Sequence, residues 1–143
     1  MKPFLIFILI IGSLYGDPIT DNFPKDEIMR IEDAIDRNGG MIHDDLKIIV
    51  YAIRKVENGR NGKEFGIMSV KANDFNSQAG WCVCTVNKNY QRWVKQSKEK
   101  DFVVFLGNRY APLGVDNDPQ MLNYNWIKNL HFWIEKLDVQ NNL

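Results

Sequence analysis

Between Leu46 and Glu57 the chain carries apolar residues around almost the whole circumference of a helix. At about 100° per residue, Leu46, Ile49, Val50 and Ile53 fall in one narrow stripe, and Ile48, Tyr51 and Ala52 cover much of the rest. Such a helix has to be enclosed, so the remaining segments are expected to pack around it. The chain has 143 residues, 45% apolar and 12% aromatic, which suits one domain with a real core.

The flanking segments read as further helices. Pro24 suits the first turn of a helix opening at Lys25, where Ile28, Ile31 and Ile35 recur until Gly39-Gly40. Asp44 or Asp45 is placed to cap the central helix, and Asn58-Gly59 to close it. Arg60 to Asn76 reads as a loop, with room for a small hairpin around Phe65 to Val70. A third helix is expected from about Ser77 to Gln96, and a short one over Phe102 to Leu106, broken around Gly107. After an irregular connection, a last helix is expected from about Leu122 to Leu137. The predicted architecture is a single, compact, mainly α domain around a buried central helix that ends in Glu.

Composition narrows the function. Equal numbers of basic and acidic residues, 18 of each, argue against nucleic acid as partner. Two Cys and two His offer no metal-ligand spacing, so neither a metal nor a cofactor is expected. Cys82 and Cys84, two apart on a helix, point in divergent directions and cannot bridge there; both are expected to be buried free thiols. Lys2, the apolar run Phe4 to Ile11, and the small residues Ser13 and Gly16 predict a secretory signal peptide over residues 1–16. The mature domain, 17–143, is then secreted or periplasmic. No later segment reaches the roughly 20 apolar residues that span a bilayer, so no stable membrane insertion is expected.

Glu57 is where chemistry enters. Four residues after Ile53, it continues the apolar stripe at the helix C-terminus. Desolvation and the helix dipole both disfavour its charged form, which leaves a protonated acid near neutral pH. A neutral carboxylic acid in an apolar cleft is what general acid catalysis of glycosidic cleavage uses. The structural alternative is a Glu57 turned outward onto Arg54, Lys55 or Arg60.

Ala52-Ile53-Arg54-Lys55-Val56-Glu57-Asn58-Gly59, followed by Phe65-Gly66-Ile67-Met68, resembles the glutamate motif of the lysozyme-like lytic transglycosylases. In that family the helix ends in Glu and Gly follows, and a loop leads to Gly-Leu-Met-Gln beside the cleft. Gln78-Ala79-Gly80-Trp81-Cys82, Phe105 to Pro112 and Leu122 to Asn129 resemble small secreted and phage-associated members. The resemblance runs from about Asp44 to Trp133. It implies an α+β lysozyme-like fold and a monomer that cleaves peptidoglycan glycan strands between N-acetylmuramic acid and N-acetylglucosamine. It further implies Glu57 as the acid, with Gly66, Ile67, Met68, Ser69 and Tyr110 facing substrate; Ser69 stands where the family has Gln. Gln78 is a further candidate sugar contact.

A transglycosylase needs only the one carboxyl. A hydrolase needs a second at about 5–5.5 Å for retention or about 6.5–9.5 Å for inversion, and Glu64 and Asp74 are the nearby candidates. Trp81 has two readings, packing beneath the loop or stacking a sugar, whereas Trp93, Trp126 and Trp133 are expected in the core. The rival to an enzyme is a secreted, non-catalytic glycan-binding or assembly module with the same fold.

Overall fold

The computed structural model describes residues 16–96, 101–116 and 118–138. The expected signal peptide therefore lies outside the described residues, apart from Gly16. Among the described residues six α-helices follow one another: α1 (Pro18–Asn22), α2 (Lys25–Arg37), α3 (Leu46–Glu57), α4 (Phe75–Gln96), α5 (Phe102–Tyr110) and α6 (Trp126–Leu137). A 3-10 turn, Leu122–Asn125, leads into α6. There is no strand among the described residues, so the segment after α3 is an irregular loop and not a hairpin.

Helix α3 packs against α6 and α4, α2 lies on α4, and α5 contacts both α4 and α6. Leu46 and the unbroken run Ile49 to Ile53 are all buried. Full burial of a side chain such as Val50 or Ile53 contributes about 1.5–3 kcal/mol, well above the roughly 0–1 kcal/mol of a surface ion pair. Packing of this run outweighs the charges around it.

The structure refines the helix starts through contacts local in the chain. Asp45 sits at the start of α3 but makes no side-chain cap bond; its carboxylate lies 3.3 Å from Nδ1 of His43 instead. Helix α1 has no apolar periodicity to announce it; Pro18 opens it and the Asp17 side chain accepts from the Ile19 N–H at 3.0 Å. Helix α4 starts at Phe75, because the exposed Asp74 carboxylate accepts from the Ser77 N–H at 2.7 Å.

Gly107 does not break α5, which continues to Tyr110. A Cβ at Gly107 would overlap Ile127 on α6, so the glycine leaves the space that the Ile127 side chain fills. The last helix is also shorter than its periodicity predicts. Both oxygens of the buried Asp118 accept backbone N–H groups, from Leu122 at 2.7 Å and Asn123 at 3.1 Å. That grip winds the chain into the 3-10 turn and makes Trp126 the first residue of α6. No helix among the described residues is long and apolar enough to cross a membrane.

Candidate active site

Helix α3 stops just beyond Glu57 because Asn58 adopts a left-handed conformation, φ 45°. The chain turns sharply there, and the loop that follows returns to the Glu57 side chain at Gly66. Gly66 has φ +69°, and a Cβ on it would overlap the Glu57 carboxyl group. Only glycine combines that backbone with so close an approach. Gly66 also lines a surface hollow of about 290 Å³ together with Ile67, Met68, Ser69, Trp81 and Tyr110.

Oε1 of Glu57 accepts a hydrogen bond of 2.7 Å from the indole Nε1 of the buried Trp126. The Trp126 ring stacks on Tyr110, centroids 5.2 Å apart and planes 21° from parallel. Burial raises the Glu57 pKa above its ordinary value of 4.5, and the Trp126 bond opposes part of that rise. No ion pair among the described residues involves Glu57. Two of the three cations that offered an outward alternative are engaged elsewhere, and the third, Arg60, is exposed and makes no ion pair with Glu57. Arg54 grips Glu27 through two nitrogens at 3.1 and 2.8 Å, and the Lys55 ammonium lies over the rings of Phe23 and Trp133.

Of the residues expected to face substrate, Gly66, Ile67, Met68, Ser69 and Tyr110 come together around this hollow. Tyr110 serves two purposes: its ring lines the hollow and its hydroxyl donates to the Phe65 carbonyl at 2.5 Å. Met68 is exposed at the rim.

Gln78 is a correction. It is fully buried and holds the loop from inside. Its carbonyl oxygen accepts from the Phe65 and Ile67 N–H groups, both at 3.1 Å. Its amide donates to the Ile67 and Ala72 carbonyls, at 2.8 and 2.7 Å. Every donor and acceptor position of the side chain is used, so none is left for a sugar.

Neither candidate second carboxylate lines the hollow. Asp74 is exposed, and its bonds to Ser77 hold its pKa low. Glu64 is buried with Oε1 accepting from the Gly62 N–H at 3.0 Å, and it faces a different depression shared with Arg54 and Asn58. The two cysteines are both free thiols, as expected, but only Cys82 is fully buried; Cys84 is partly exposed. Burial pushes the Cys82 thiol up to about 12.

Sequence reasoning missed the role of Trp126. It is a core residue, as its position on α6 suggests, but it is also the partner of the acid. The available signal is chemical: a buried indole N–H needs an acceptor, and Glu57 is an apolar-face residue that supplies one.

No protein-family model, no curated protein and no solved structure matches this chain.

Proposed function

We propose that the protein cleaves the glycan strand of peptidoglycan, with Glu57 as the single acid and base. The observation that carries the reading is the Glu57 carboxyl itself. It is desolvated, free of any ion pair among the described residues, and packed against Gly66, which itself lines a hollow that no carboxylate lines. In this mechanism the Glu57 carboxyl gives its proton to the glycosidic oxygen as the C1–O bond breaks. The carboxylate then takes the proton of the 6-hydroxyl while O6 bonds to C1, and a 1,6-anhydro ring closes without consuming water. Trp126 steadies the carboxylate between the two transfers. Neither Glu64 nor Asp74 lines the hollow, which supports ring closure by the one acid over hydrolysis by a pair.

A second reading has one observation in its favour. Glu57 abuts Gly66 but is not itself part of the hollow's lining, which suits a secreted module that binds glycan without cutting it.

Mass analysis of products from purified peptidoglycan separates the readings. The enzyme releases anhydro-ended fragments, one water lighter than reducing ends. Glycan binding with no soluble product would overturn catalysis and leave the module.

A further inference from the structure

A second hollow, of about 580 Å³, runs along α4 and shares Trp81 and Thr85 with the one beside Glu57. Its floor is open because residue 80 is glycine, where α4 faces Asn38 at the end of α2. Along the two hollows stand Arg37, Lys88 and Arg109, and no acidic residue lines either. In a chain of zero net charge that is a marked segregation. Glu32, Asp36 and Asp44 line one other depression and Glu27 and Glu64 another, and none of them lines this groove. Arg37 shares its charge with Asp33, an exposed pair. Lys88 has no ion pair among the described residues.

Resting on the peptidoglycan reading, we infer that this α4 groove, from Trp81 to Lys88, binds the acidic peptide stem carried by N-acetylmuramic acid. The stem leaves the sugar whose bond is cut, so its first residues must pass whatever borders the cleavage site. Here that border is the half-exposed Trp81. From Trp81 to Lys88 the helix rises about 10 Å. Three extended residues also cover about 10 Å. A free carboxylate near the third stem residue therefore reaches the Lys88 ammonium, while Asn38 and Ser77 offer hydrogen bonds to the backbone between.

The test compares intact peptidoglycan with the same glycan stripped of its stems by an amidase, together with titration of the free tetrapeptide stem. Wild-type protein is expected to cleave the stem-bearing polymer about tenfold more efficiently than the stripped one. Lys88→Glu should bring that ratio close to one and weaken tetrapeptide binding about tenfold, while Lys88→Arg retains both. Equal cleavage of both polymers by wild type, with no tetrapeptide binding, would overturn the stem groove and leave the role of Glu57 standing. Tetrapeptide binding that Lys88→Glu abolishes, with no cleavage of either polymer, would keep the groove and overturn the enzyme. Loss of both cleavage and binding in wild type would overturn both.

Discussion

Trp126 donates its indole proton to Glu57 at 2.7 Å, joining residues 69 positions apart and tying the first residue of α6 to the last of α3. The bond acts against the effect that surrounds it. Burial raises the carboxyl pKa and the indole lowers it, with burial the larger of the two. The outcome is a carboxyl group whose pKa lies above its ordinary value and whose anion has a donor at hand.

Glu57→Gln keeps the acceptor for Trp126 and removes the proton. General acid–base catalysis contributes about 10²–10⁴-fold, so release of soluble fragments should fall by at least about 100-fold. Stability should follow the opposite course. The folded state holds the Glu57 proton more tightly than the unfolded chain, so this contribution is complete below 4.5 and is lost as pH rises through the raised folded value. The glutamine variant does not titrate, and its melting temperature should gain on wild type as pH rises from 4.5 through the raised folded value. A variant that melts lower and cleaves normally would make Glu57 a structural residue.

Trp126→Phe preserves an aromatic face for Tyr110 but removes the indole donor. With the opposing influence gone, the Glu57 pKa should rise further, and the alkaline limb of the pH–rate profile should move to higher pH. The lost hydrogen bond costs about 1 kcal/mol of stability. A limb that stays where it is would show that Trp126 does not tune the acid.

Gly66→Ala tests the close approach. A left-handed backbone costs an alanine about 1–2 kcal/mol, and its methyl group would also displace the Glu57 carboxyl. Misplacement of a catalytic group by about 1 Å can cost about 100-fold, so cleavage should fall further than the modest drop in melting temperature explains. Wild-type kcat/KM in this variant would disprove the contact.

For Gln78→Leu the prediction is mainly structural. The N–H groups of Phe65 and Ile67 and the carbonyls of Ile67 and Ala72 all lose their side-chain partner. Each buried polar group left unpaired costs about 1–3 kcal/mol, so urea denaturation should register a loss of at least about 3 kcal/mol. A loss under about 1 kcal/mol would mean that the loop holds itself without Gln78.

The thiols should separate in a labelling experiment. Cys84 is partly exposed, with its thiol donating to Oδ1 of Asn38 at 3.2 Å, whereas Cys82 is enclosed and its thiolate strongly disfavoured. One equivalent of a thiol reagent should react with the native protein, and the second only on unfolding. Cys84→Ser should abolish the native phase; its persistence would place the reactive thiol at Cys82.

The amino-acid sequence by itself determines where α2 and α3 run and that Glu57 continues an apolar face, but it announces neither α1 nor the start of α6. Apolar spacing over Leu46 to Ile53 carries α3, Gly39-Gly40 ends α2, and the same spacing sets Glu57 on an apolar face, because each of these depends on sterics and burial within a few turns of chain. The tertiary structure decides how those pieces are used. Whether Arg54 neutralises Glu57 or reaches Glu27, whether Gln78 meets sugar or braces the loop, and whether Gly107 ends α5 or admits Ile127 all turn on which helices cross and where. The Trp126–Glu57 bond belongs to the same class. Periodicity specifies which side of a helix is buried, but the partner on that side is set by packing between segments far apart in the chain, and no local spacing encodes it.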